Sequence, residues 1–278
     1  MSTNFKNTDL PDIIELRKVS QTYDGGKTMI IKELDFLVED KPGQGQFIII
    51  LGASGCGKST LLRYIAGLQD PSSGEVLIKG QPRSDADRIG MVFQQYSSFP
   101  WMSVLDNVAL GLKFKGVSRK EREDKARQML QIVGLEGQEK KYAKYPTLSG
   151  GQLQRVAIAR SLLVNPEIIL MDEPFGALDI YTRLKMQDFL IDIWEKVHPT
   201  IILVTHDISE AVYLGDDICL MSANPGEIAE VIHSELPVDR TRALKRSKQF
   251  TDMVHDIEDK LTDLQNASEQ RKAKALQS

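Results

Sequence analysis

Three glycines, an amine and several hydroxyls fall within one short stretch: Gly52-Ala53-Ser54-Gly55-Cys56-Gly57-Lys58-Ser59-Thr60. Glycine backbone, free of Cβ atoms, can wrap closely around phosphate oxygens. Successive N–H groups then point at the anion, and a helix starting there adds its partial positive charge. Lys58 can reach β- and γ-phosphates, and the Ser59 hydroxyl can ligate Mg²⁺. Phe47-Ile48-Ile49-Ile50-Leu51 precedes the stretch as an apolar strand, and Leu61-Leu62-Arg63-Tyr64-Ile65-Ala66 follows as a helix. Strand, glycine turn and helix in this order form the phosphate-binding loop pattern. An ordinary glycine turn accounts for the glycines but not for Lys-Ser-Thr.

A second element is Ile168-Ile169-Leu170-Met171-Asp172-Glu173. An apolar strand can deliver Asp172 beside the loop, where it holds a Mg²⁺-bound water. Glu173 follows directly and is suited to polarising an attacking water. A pair of surface acids at a strand end is the plainer alternative. A third element is Leu148-Ser149-Gly150-Gly151-Gln152, another glycine turn feeding a helix N-terminus. Ser149 and backbone N–H groups there can be aimed at phosphate, although Ser149 can equally be the N-cap of a structural helix.

With these three elements the sequence resembles the ATP-binding cassette family, whose signature is Leu-Ser-Gly-Gly-Gln. The resemblance covers roughly residues 13–238, with the motifs in family order. It implies roles for four further residues. Gln94 matches the glutamine that touches Mg²⁺ and the surroundings of the attacking water. Asp179, in Gly176-Ala177-Leu178-Asp179, matches the aspartate of the family's D-loop. His206 matches the switch histidine on the γ-phosphate, and Tyr23 the aromatic that stacks on adenine. The resemblance also implies a head-to-tail dimer. Each ATP is then held by residues 52–60 of one chain and by 149–152 of the other. Binding energy present only in the ATP state shifts a two-state equilibrium.

Alternating strands and helices must position these residues. Strands are expected over 13–19, 34–38, 47–51, 75–79, 88–93, 167–171, 200–205, 217–221 and 227–233, with a turn at 24–26, a connection at 39–46 and another turn at 70–74. Helical spacing of apolar residues runs over 104–115 and 119–133, with Ser118 and Glu121 forming a capping box. Further helices are expected over 152–163, 180–197 and 208–214. The expected fold is α/β, a RecA-like P-loop NTPase core with a mostly parallel sheet, an antiparallel β edge and an inserted helical subdomain. The ATPase domain spans 12–240, with the core at 12–93 and 164–240 and the helical part at 94–163. A charged tail, 241–278, follows. Phe250, Val254, Ile257, Leu261 and Leu264 form one apolar stripe on it, while residues beyond Asn266 look frayed and residues 1–11 look like a loose arm.

The 278 residues carry a net charge of −4, which gives no general electrostatic reason to bind nucleic acid. Two cysteines, Cys56 and Cys219, make neither a disulfide framework nor a zinc cluster. No apolar stretch approaches the roughly 18 residues of a membrane span, so a transport role requires a separate membrane partner. Three stretches resemble the nitrate, sulfonate, taurine and bicarbonate importer subfamily. They are Tyr96 to Val108, which contains Phe99-Pro100-Trp101, Thr205 to Leu214, and Met221 to Ile228. The resemblance implies an ATP-hydrolysing subunit, peripheral on the cytoplasmic face of the inner membrane. Its partners would be permease subunits and, through them, a substrate-binding protein. Trp101 then either faces a permease coupling helix or belongs to the core of the helical insert. The alternatives are a cassette ATPase not coupled to transport and a regulatory cassette that binds ATP without turnover.

Overall fold

Seven consecutive buried residues make β3, Gln46–Gly52, the centre of the main sheet. The computed structural model describes residues 12–23, 28–41, 45–84, 87, 89–95, 97–237 and 240–275. The expected arm 1–11 and turn 24–26, together with Pro42, Gly43, Arg88 and Tyr96, lie outside the described residues. The chain runs β1 (Ile14–Thr22), β2 (Met29–Val38), β3, α1 (Lys58–Ala66), β4 (Ser73–Ile78), β5 (Gln81–Pro82) and β6 (Ile89–Val92). Three helices follow, α2 (Val104–Phe114), α3 (Arg119–Ile132) and α4 (Gly150–Leu163). Then come β7 (Ile168–Asp172), α5 (Ile180–Val197), β8 (Thr200–Thr205), α6 (Ile208–Leu214), β9 (Asp217–Ser222), β10 (Glu227–His233) and α7 (Lys248–Ala275).

The six-stranded sheet has the order β10-β9-β3-β8-β7-β6, parallel throughout except for the β9–β10 hairpin. An antiparallel sheet, β2-β1-β4-β5, lies beside it. Strand β3 feeds two cores because successive side chains point to opposite faces. Phe47, Ile49 and Leu51 join the cluster that includes α2, α4, α5 and α6, while Ile48 and Ile50 pack with α1 and the antiparallel sheet. Each such buried side chain contributes roughly 1.5–3 kcal/mol. The α/β fold with its parallel sheet and antiparallel edge is therefore the one the sequence predicts, and Cys56 and Cys219 are buried free thiols.

Three expectations need correction. Residues beyond Asn266 are helical, because α7 runs to Ala275 and is anchored late. Ser268 Oγ donates to the Ala223 carbonyl at 2.6 Å, and Arg271 pairs with Glu227 at 2.6 Å. Ser73 and Gly74 open β4 instead of ending a turn. Gly74, at φ 94°, passes so close to the bulged β1 that a Cβ would stand 2.5 Å from the Lys18 carbonyl. The capping box at Ser118 is half made: Ser118 Oγ accepts from the Glu121 N–H, but the Glu121 carboxylate turns to Lys125 at 2.7 Å. The apolar stripe of α7 packs as expected, with Phe250 and Ile257 buried and Met253 joining it.

Candidate functional site

Strand register brings the chemistry to one edge of the sheet. Leu51 of β3 pairs with Thr205 of β8, and Asp172 of β7 pairs with Val204 of β8. The next residues along these strands are Gly52, His206 and Glu173, so loop, histidine and carboxylate emerge side by side. Ser59 Oγ donates to Asp172 Oδ1 at 2.9 Å. Gln94 Nε2 donates to Glu173 Oε2 at 3.0 Å, and His206 Nδ1 lies 3.2 Å from Glu173 Oε1. Glu173 has φ 44°, a left-handed conformation costing on the order of 1 kcal/mol. Its N–H donates to the Val204 carbonyl at 2.9 Å and its carbonyl accepts from Gly176 at 3.1 Å, which holds that turn and aims the carboxylate at Gln94 and His206.

The phosphate loop is shaped for an anion. Lys58 is only 5% exposed, and its ammonium donates to the Gly52 and Ala53 carbonyls at 2.7 and 2.9 Å. Two of its three N–H donors are thus spent on drawing the side chain across the loop. Helix α1 starts at Gly57, φ 106°, with no side-chain cap, whereas Ser103, Ser118, Ser149, Asp179 and Asp207 cap α2 to α6. The first-turn amides of α1 keep their donor capacity for an anion. The loop is clasped from behind: a Cβ at Gly226 would lie 2.1 Å from the Cys56 carbonyl, and one at Gly52 would lie 2.5 Å from the Met221 carbonyl.

Asp172 and Ser59 are hard oxygen ligands and fit Mg²⁺ in the presence of phosphate oxygens. Burial pushes the Asp172 carboxyl above its ordinary range, the Ser59 hydroxyl opposes this, and Glu173 adds to it. A dication at this point reverses that electrostatic situation. A cavity of 370 Å³ opens beside the loop, lined by Ala53, Ser54 and His206 and, unexpectedly, by Gln265 and Ser268 of α7.

The remaining predicted residues lie elsewhere. Ser149 is exposed and caps α4: its Oγ accepts from the Gln152 N–H at 3.3 Å, while its own N–H donates to Gln152 Oε1 at 2.9 Å. Gly150 opens that helix, and Gly151 is where α4 meets α5, with only 2.7 Å from a hypothetical Cβ to Thr182 Cγ2. Asp179 caps α5 through the Thr182 N–H at 3.1 Å. Among the described residues, no hydrogen bond or ion pair joins 149–152 or Asp179 to 52–60. Tyr23 is 61% exposed beyond β1, and its hydroxyl accepts from Gln69 Nε2 at 3.3 Å. Trp101 is 70% exposed, its ring tilted by 51° against Phe99 at 5.3 Å between centroids, and so is not core.

A parallel sheet that delivers a phosphate loop, two acids and a histidine to one edge defines a P-loop nucleoside triphosphatase. Residues 38–176 match the family described as ABC transporter. The nitrate import ATP-binding protein NrtD of a Synechocystis strain is 45% identical over 247 residues, 85% of this chain and 90% of that protein. The aliphatic sulfonates import ATP-binding protein SsuB of Bacillus cereus is 42% identical over 243 residues, 86% and 92% of the two chains. Among solved structures, the dimeric post-hydrolysis state of the ATP-binding cassette MJ0796, bound to ADP and Pi, superposes with a TM-score of 0.67. It is 36% identical, and the match covers 81% of this chain and all of that one. The chain belongs to the ABC transporter family and is an ATP-binding cassette.

Sequence reasoning missed the supports. The turn at Asn224-Pro225-Gly226 carries a clear turn signal, yet nothing in it says that Gly226 backs the phosphate loop. Buried Gln187 and Glu210 and half-buried Lys245 form a polar chain next to the turn that carries His206, and their spacing along the sequence gives no sign of it. Among the described residues, no helix is long and apolar enough to cross a membrane.

Proposed function

We propose that this cassette is the ATP-hydrolysing subunit of an importer for a small anion of the nitrate, sulfonate, taurine or bicarbonate class. The observation that carries the catalytic part is the Glu173 carboxylate, in reach of both Gln94 and His206 and next to the Ser59–Asp172 pair. In this reading the amides of 52–60 and the Lys58 ammonium hold the phosphates of ATP. Ser59, Asp172 and Gln94 face Mg²⁺, which supplies charge stabilisation at the phosphates. Glu173 takes the proton of the attacking water, and His206 contacts the γ-phosphate. Tyr23 stacks on adenine.

The names of the relatives support the anion class, and the dimeric cassette supports the assembly. Two chains pair head to tail, so that 149–152 and Asp179 of one face 52–60 of the other. The reading also includes a core at 12–93 and 164–240, a helical subdomain at 94–163 and a tail from 241. Exposed Trp101 and half-buried Phe99 offer an apolar surface for a permease on the cytoplasmic face of the membrane, with a substrate-binding protein beyond it. The test is Glu173→Gln in the reconstituted complex. A positioned base contributes on the order of 10²–10⁴-fold, so phosphate release should fall by at least about 100-fold while ATP still binds and traps a closed dimer. Hydrolysis at the normal rate would falsify the assignment of the base.

A further inference from the structure

Glu210 is a buried carboxylic acid, 3% exposed, on α6 four residues after His206. Its Oε2 accepts from Gln187 Nε2 at 3.2 Å, and the Thr205 hydroxyl lies close enough to favour the ionised carboxyl. Gln187, on α5, is equally buried, and its Oε1 accepts from Lys245 Nζ at 2.7 Å. That contact fixes the amide: with its oxygen turned to the ammonium, its NH₂ must face Glu210. Lys245 belongs to the short 3₁₀ turn Leu244–Arg246, after the last strand, and sits 3.8 Å over the Tyr213 ring. Thr205 Oγ1 also accepts from the Asp207 N–H at 3.0 Å, and Asp207 Oδ1 accepts from the Glu210 N–H at 3.0 Å. Of the two neighbours of His206, Asp207 is therefore bonded to the Glu210 backbone and Thr205 lies beside the Glu210 carboxyl.

A carboxylate in such surroundings is tolerated only if donors answer it. Here the Gln187 amide answers it and leads through Lys245 to the segment after β10, while the carboxyl lies beside the Thr205 hydroxyl of the turn that carries His206. We propose that Glu210 is a positioning residue for His206, and that Lys245, acting through Gln187, makes the segment after β10 part of the histidine's mounting. The proposal rests on the reading of His206 as the γ-phosphate contact.

Burial pushes the Glu210 carboxyl up to about 7, Asp207 adds to this, and Gln187, Thr205 and Arg183 oppose it. The charged and titratable groups around it are Asp207, Arg183 and Lys245, with Tyr213, Asp188 and Arg242 next outward. The ionised form accepts from Gln187 and is favoured by the Thr205 hydroxyl beside it. As pH falls through that value a proton occupies one oxygen, and the hold on the Thr205 or Gln187 side is lost. Turnover should therefore decline on the acid side of about 7.

The test uses the full chain and its Glu210→Gln, Lys245→Met, Lys245→Arg and His206→Ala variants. ATP affinity with Mg²⁺ is read by calorimetric titration, and turnover by phosphate release between about pH 6 and 8.5, spanning the group's titration. Glu210→Gln should lose about tenfold in turnover on the alkaline side, keep its ATP affinity within about twofold, and lack the acid decline. Lys245→Met should lose about threefold or more at unchanged affinity, and Lys245→Arg should restore it. Wild-type turnover with the same acid decline in Glu210→Gln overturns the proposal, as does a loss of affinity that matches the loss of turnover. If Glu210→Gln does not fold, the Lys245 pair decides, and unchanged turnover in Lys245→Met overturns it. Normal turnover in His206→Ala would overturn the underlying reading and this one with it. A loss confined to His206→Ala, with the other variants unchanged, overturns only the mounting.

Discussion

Helices α1 and α4 both begin in a glycine-rich turn, at Gly55 and Gly57 in one case and at Gly150 and Gly151 in the other. Their glycines serve different ends. At α1, Gly55 and Gly57 take φ of 82° and 106°, and Gly55 has open space where a Cβ would point. At α4, Gly151 is small because Thr182 stands against it. Their N-termini differ as well. The amides of α1 have no side-chain cap, whereas α4 closes its own start with the reciprocal Ser149–Gln152 box. A helix start left uncapped waits for an anion. One that is already capped keeps its shape without a ligand and presents a ready-made exposed face, suited to a second chain. A single chain therefore contains one helix start left open to an anion and one that is already closed.

Removing the Lys58 ammonium tests the cradle and has the largest expected effect. Lys58→Ala should weaken ATP binding on the order of 100-fold, because a point charge on the β- and γ-phosphates disappears. Its Tm should fall as well, since the buried Gly52 carbonyl loses its donor. Calorimetric titration beside thermal melting checks both parts. Unchanged affinity would mean that the loop is not the phosphate site.

Gly151→Ala comes next and tests the other helix. A Cβ only 2.7 Å from Thr182 Cγ2 must push α4 away from α5. Overpacking of this kind costs roughly 1–3 kcal/mol. ATP affinity of the single chain should stay within about twofold, because the cradle lies elsewhere. Adding Thr182→Ser removes the obstructing methyl, and denaturant unfolding should then show a coupling of about 1 kcal/mol between the two sites. Additive effects would show that the glycine is there for another reason.

The parallel strands, the loop and most helices were legible because their signals are local: apolar runs, glycines followed by Lys-Ser-Thr, and a serine or aspartate before a helical period. The limits of α5, α6 and β10 agree with expectation for that reason. What could not be read depends on contacts between distant parts of the chain. Gly226 touches the Cys56 carbonyl only because a hairpin turn folds behind the loop. Ser268 and Arg271 extend α7 past its apolar stripe by bonding to Ala223 and Glu227, and charged side chains alone carried no sign of this. The half-made cap at Ser118 has the same origin in miniature. Glu121 had two partners within one turn, and an i,i+4 lysine took its carboxylate.

Ser149 allows the smallest change and the sharpest version of the comparison, because its two roles can be separated. Ser149→Ala removes the acceptor for the Gln152 N–H, which costs about 1 kcal/mol and lowers Tm by about 2–4 °C in a chain of this size. Ser149→Asp keeps a cap, since a carboxylate accepts the same N–H and favours a helix N-terminus. If capping were the whole purpose of Ser149, the aspartate variant would retain both stability and turnover. If the exposed face meets a phosphate held by a second chain, the added negative charge repels it. Turnover then falls while Tm and single-chain ATP affinity remain near wild type. Melting curves, ATP titration and phosphate release on the two variants distinguish the cases. An aspartate variant with full turnover would leave α4 as a self-capped structural helix and confine phosphate recognition to α1.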